Sequence, residues 1–229
     1  MLVDIFSCFD DKNEVFMSLY LLMWGLPLAV LVVFISNYWV SNPGWMLLLG
    51  GLKQTIFSQV GRSLGMGLDG FVSLVAVLFT GIILMNLSGM IPYVFGVTSH
   101  LLLSFSLGFP VWLSLILSAL VVNWSSVVAA LLPAGAPPAL SPFLVLVETV
   151  SLLVRPITLS VRLAANMSAG HIVLGLVGNY FAGACFSSSS VLILALVQVF
   201  YSIFEFAICA VQGYIFCLLL VLYSDEHSR

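Results

Sequence analysis

The sequence predicts an all-α integral membrane protein with about five membrane helices plus one interfacial amphipathic helix, the last two helices long, tilted and antiparallel. Composition is the first reason: of 229 residues, 62% are apolar and 7% charged, which excludes a soluble domain of this length. Charge placement is the second. No Asp, Glu, Lys or Arg falls between Asp69 and Glu148, a stretch able to hold three crossings of about 20 residues each. The third is the pair of apolar runs after Pro142, each too long for one upright crossing of a hydrocarbon core about 30 Å thick.

The same composition narrows the partners. A net charge of −3 is too small to imply nucleic acid or anionic lipid, so the bilayer itself is the expected surroundings. Cys8, Cys185, Cys209 and Cys217 show no CxxC or metal spacing, and neither a metal nor a cofactor is expected. Cys209 and Cys217 lie in an apolar run and read as small packing residues. Asp4, Asp10, Asp11 and Glu14 against Lys12 make an acidic start, unlike a cleavable signal.

Residues 1–69 form the first region. A polar lead-in, 1–15, precedes an uncharged span from Phe16 to Tyr38, which Pro27 can kink. Asn42-Pro43-Gly44 is a turn signal. Trp45 to Arg62 mixes apolar residues with Lys53, Gln54, Ser58, Gln59 and Arg62, the pattern of a helix lying along the membrane surface. Residues 70–132 follow as a helical hairpin. Phe71 to Met90 reads as one span ending near Ile91-Pro92, with Asn86 and Ser88 read first as helix-to-helix hydrogen-bonding groups. Leu101 to Val122 reads as the next, running as far as Leu132, with Pro110 inside it. His100, between them, reads as a surface histidine. PAGAPP, 133–138, ends the second span firmly.

Residues 142–226 are the third region. Ser141 and Pro142 look like a cap and first helical position. Pro142 to Gly178 would be about 55 Å long as a helix, and Val191 to Ser224 about 51 Å. The first carries Glu148, Arg155 and Arg162 seven residues apart, within about 20° of one helix face. Each such charge costs roughly 2.5–3.5 kcal/mol in a membrane helix. An ion pair between Glu148 and Arg155 plus a snorkelling arginine is the bland explanation. The second helix has its own seven-residue stripe, Gln198, Glu205 and Gln212. Ser160, Ala164, Ala165, Ser168, Ala169 and Gly170 thin the first helix, so that another helix can come close.

Lys53 and Arg62 place the 39–69 segment on the inner side of the membrane. Counting spans from there puts Glu148 and Glu226 toward the inner face, and His171 and Glu205 toward the outer. Arg162 lies between and stays charged at any working pH. Two half-paths for protons fit this layout better than one continuous wire.

Arg162-Leu163-Ala164-Ala165-Asn166, with Ala169-Gly170-His171, is similar to the signature of subunit a of the F-type ATP synthase. Glu205 with Gln212 and Tyr214 resembles that family's last helix, and Asn86-Leu87-Ser88-Gly89-Met90-Ile91-Pro92 its earlier span. Histidine at 171 and glutamate at 205 resemble the mitochondrial branch, which implies the mitochondrial inner membrane. Arg155 resembles the fungal members. The resemblance implies a stator subunit beside a rotating ring of c subunits, with peripheral-stalk and other membrane-sector subunits as further partners. Protons would load the ring past His171 and Glu205 and leave past Glu148 and Glu226. Asp225 competes for that last role, though the spacing from Glu205 favours Glu226. Arg162 would bar a leak between the half-paths, with Asn86, Asn166 and Gln212 as supporting polar residues. The resemblance also places Gln212 beside Arg162, where it would orient the guanidinium. ATP chemistry would lie elsewhere, since there is no GxxxxGK[ST] loop. A stand-alone proton-coupled transporter is the alternative; against it, no inverted repeat is evident.

Overall fold

The computed structural model describes residues 44–68, 70–91, 96–132, 140–185 and 191–225, with Trp24, Gly25, Leu28, Ala29 and Val32 as isolated positions. Most of the span expected at 16–38, and Glu226, lie outside the described residues. Among those described there is no strand, and four helices are long and apolar enough to cross a membrane.

Helix α1, Gly44–Val60, has the mixed face the sequence predicts. Ile56 and Val60, one turn apart, are buried in the core, while Lys53, Gln54 and Thr55 are exposed. It stops two residues before the expected Arg62. Beyond it the Ser63 hydroxyl donates back to the Val60 carbonyl at 2.7 Å, and a 3-10 turn follows over Leu64–Gly67. Gly70 then takes φ 81°, a left-handed conformation open to glycine at little cost, and starts α2.

Helix α2, Phe71–Gly89, is the centre of the packing. Half of its membrane window is buried, against 17% for the windows of α3 and α4 and 6% for α5. Val75, Phe79, Ile82 and Ile83 form its core face. A 3-10 turn at Val97–Ser99 leads through His100 into α3, Leu101–Ala130. His100 is not the free surface histidine expected, because the Trp24 ring lies 5.5 Å from its own. Helix α3 is broken at Asn123, whose φ of −156° and ψ of 83° are not helical. The helix expected over Leu101 to Val122 and as far as Leu132 runs to Ala130, with this break just after Val122.

Helices α4, Ser141–Cys185, and α5, Val191–Asp225, are the two long elements. At 45 residues, α4 is about 67 Å long and outruns its expected end at Gly178 by two turns. Gly178, Gly183 and the small residues near them do not stop it. Pro156 lies inside α4 without ending it; the ring removes one backbone donor, and Ser160 Oγ donates to the Pro156 carbonyl at 2.8 Å.

The main pairings are α2 with α5, α4 with α5, and α3 with α4, while α1 rests on α2. Glycine sets two of the approaches. A Cβ on Gly213 of α5 would lie 2.7 Å from Ile83 Cγ1 of α2, and one on Gly108 of α3 would lie 3.2 Å from Ser160 Oγ of α4.

Candidate functional site

Helices α4 and α5 run antiparallel, and their facing pairs fix the register. Gly170 faces Glu205, Met167 meets Cys209, Asn166 meets Gln212, and Arg155 lies over Tyr223. As the α4 number falls from 170 to 155, the α5 partner rises from 205 to 223. The polar residues along this pair form two clusters.

The first cluster holds Glu205 and His171. Glu205 is 1% exposed, and its carboxylate occupies the space where a side chain on Gly170 would stand. Among the described residues no donor reaches Glu205 Oε1. His171 follows Gly170 on α4, so its ring leaves the helix about 100° further round. Its Nε2 comes 3.0 Å from where a Cβ on Gly96 would be and 3.7 Å from one on Gly89. Those two glycines flank the connection from α2 to α3, so the imidazole is lodged against backbone. Its Nε2 is buried and has no hydrogen-bond partner among the described residues. Buried polar atoms are normally paired, and those left open cluster where protons or water are handled.

Further along the pair, Asn166 Nδ2 donates to Gln212 Oε1 at 2.9 Å. Asn86 Nδ2 of α2 donates to the Cys209 carbonyl at 3.4 Å, the helix-to-helix bond expected of it. Gln212 Nε2 and Asn86 Oδ1 are buried without partners among the described residues. Gln212 lies two turns along α5 from Glu205, beyond the Met167–Cys209 contact.

Gln212 does not meet the expectation that it bonds the guanidinium. Its carbonyl is taken by Asn166, one turn beyond Arg162, and no hydrogen bond joins it to Arg162. The stagger of the two helices, which the sequence leaves open, is the reason: by the observed register Arg162 is level with the part of α5 between Gln212 and Tyr223. Arg162 is exposed on the outside of the helix pair, with no hydrogen bond or ion pair among the described residues. Val161, Ala165, Asn166 and Ala169 are exposed around it, a mostly small-residue surface.

The second cluster holds Glu148, Arg155 and Tyr223. Glu148 Oε1 and Arg155 Nη2 are 3.4 Å apart, so that half of the bland explanation for the charged stripe is observed. The Arg155 guanidinium also lies 5.2 Å from the centre of the Tyr223 ring. All three line a cavity of about 420 Å³, together with Trp112 and Leu115 of α3 and Leu152 of α4. Leu159, Leu163 and Phe216 are packed between the two clusters, none more than 1% exposed. Glu148 and Arg162 are about 21 Å apart along α4, and Arg162 and His171 about 13 Å.

Two contributors escape sequence reading. Gly170 reads as one more small residue, although it makes the space for a carboxylate. Tyr223 is one residue of a long apolar run in the sequence, although it carries the Arg155 contact. Neither has a local signal, because both roles belong to a partner on the other helix. Among the described residues no group of three or more His, Cys, Asp or Glu could hold a metal.

The family model described as ATP synthase A chain matches residues 15–225. ATP synthase subunit a of Aedes aegypti is 36% identical over 228 residues, covering 99% of each chain. That of Anopheles gambiae is 37% identical over 231 residues, again 99% of each. The snail Albinaria caerulea has one that is 35% identical over 227 residues, covering 99% of this chain and 100% of its own.

Proposed function

The chain belongs to the ATP synthase A chain family, a multi-pass protein of that enzyme's membrane sector, and from that premise we propose that it is the proton-conducting stator subunit beside a rotating ring of c subunits. Its place would be the mitochondrial inner membrane, with peripheral-stalk subunits holding it still. His171 and Glu205 take protons from the outer side and pass them to a ring carboxylate, with the Gln212 and Asn86 amides as supporting polar groups. Glu148 and Glu226 receive them on the inner side. Arg162 stands on the ring-facing surface between the two. A fixed cation favours the ionised form of a carboxylate brought beside it, so the ring discharges there and reloads once past. The small residues around Arg162 let a ring helix approach closely.

The observation that carries this reading is the separation of the clusters. Glu205 and His171 lie on one side of the packed layer of Leu159, Leu163 and Phe216, and Glu148 lies on the other. On this reading the proton leaves the chain and comes back, and the exposed face at Arg162 is where a second carrier takes it. Proton flux through the intact ATP synthase provides the test. Arg162→Ala is expected to abolish coupled ATP synthesis while the complex still assembles. Glu205→Gln is expected to slow uptake when outer protons are limiting, because an amide does not titrate. Normal synthesis by an assembled Arg162→Ala complex, or transport by the purified chain alone, would overturn the reading.

A further inference from the structure

The two acidic residues at the end of α5 differ in what they can do. Asp225 Oδ1 accepts a hydrogen bond from the Leu64 backbone N–H at 2.7 Å, across 161 residues of chain. Leu64 begins the 3-10 turn, and Ser63 precedes it at the capping position, where a hydroxyl ordinarily accepts from the second or third N–H of the turn. Ser63 makes no such bond; its hydroxyl donates to the Val60 carbonyl instead. The neighbouring contact has the same purpose. Ser224 is 1% exposed, and its hydroxyl fills the space above Gly65 where any side chain would collide. Phe71 Cε1 closes the other side of that space, 3.0 Å from the would-be Cβ.

The structure assigns Asp225 as a positioning residue that fixes the end of α5 to the turn after α1 through the Leu64 N–H, and not as a proton carrier. A carboxylate that takes a proton on the accepting oxygen gives up this bond, and one that takes it on the other oxygen keeps only a neutral, weaker acceptor. Loading Asp225 with a proton at every step would therefore weaken the junction at every step. The adjacent Glu226 is left as the acid of the inner path; this last clause rests on the proton-path reading above, whereas the clamp itself does not.

Substitutions in the intact complex separate the two roles, because asparagine keeps an acceptor oxygen and loses the titrating proton. Hydrogen exchange of the Leu64 amide and ATP-driven proton pumping are the two measurements. Asp225→Asn is expected to keep most of the Leu64 protection, through a weaker neutral acceptor, and pumping near the unmodified level. Asp225→Ala is expected to speed Leu64 exchange by about tenfold or more, the loss of a bond to a charged acceptor. It is also expected to reduce the chain recovered in the complex. Gly65→Ala should loosen the same junction from its other side. Pumping lost equally in Asp225→Asn and Asp225→Ala, with Leu64 still protected in Asp225→Asn, would overturn the assignment and make Asp225 a carrier. Unchanged Leu64 exchange in Asp225→Ala would overturn it too. Glu226→Gln in the same series tests the proton-path reading separately, since it leaves the Leu64 bond untouched.

Discussion

A Cβ at position 170 would fall inside the Glu205 carboxylate, so Gly170 and Glu205 form a matched pair across two helices. Gly170→Ala is expected to push the carboxylate out of its place and lower proton flux several-fold while the chain still assembles. Glu205→Asp in that background should recover part of the flux, because the shorter side chain withdraws from the new methyl. Proton pumping by the two variants checks this, and no recovery in the double variant would separate the two positions. Overpacking of this kind typically costs about 1–3 kcal/mol, enough to shift a side chain and too little to unfold a chain of this size. The sequence marks Glu205 and His171 as costly intramembrane groups, and it marks Gly170 only as small.

At the scale of helices, α2 and α5 touch along Ile82, Ile83 and Asn86 on one side and Cys209 and Gly213 on the other. Gly213→Ala places a methyl 2.7 Å from Ile83 Cγ1, the branched part of a side chain that cannot swing aside. Gly81, in the same α2, has nothing within 4 Å of its would-be Cβ. Gly213→Ala is therefore expected to destabilise the chain by about 1–3 kcal/mol, and Gly81→Ala to be neutral or slightly stabilising. Thermal unfolding of the purified complex, followed by release of this chain, would rank the two variants. Helix existence was legible in the sequence, since charge-free runs of about 20 residues have few other uses. The ends were less so. The sequence puts the end of this helix at Gly178, but glycine costs only about 1 kcal/mol inside a helix, and α4 continues through Gly178 and Gly183.

Taken whole, the molecule is a packed half and an open half. Helices α1 and α2 bury their faces against α5, whereas most of α4 and α5 has no cover from the other described residues. The register of the two long helices sets which charges are separate. Arg155 is bound to Glu148 on its own helix and to the Tyr223 ring on the other, on the far side of the apolar layer from Glu205. Its side chain is 21% exposed and that of Glu148 40%, so the pair is partly screened and worth about 0.2–1 kcal/mol. Arg155→Gln is expected to leave ATP synthesis above half its normal rate, whereas Arg162→Ala stops it. Synthesis rates in complexes of equal assembly compare the two, and equal loss would give both arginines the same task.

The sequence by itself determined the class of this protein, its helices and its costly groups. Those follow from composition and from the price of charge in hydrocarbon, which are local quantities. It also placed Glu148, Arg155 and Arg162 on one stripe, because helical period is local as well. The partners across helices were decided only by the tertiary structure. Gln212 bonds Asn166 and not Arg162; Gly170 houses Glu205; Asp225 holds Leu64. Each of these depends on the stagger between two helices. That stagger is set by how glycines and branched side chains fit along whole contact faces, as at Gly213 with Ile83 and Gly108 with Ser160. No short stretch of sequence contains that fit.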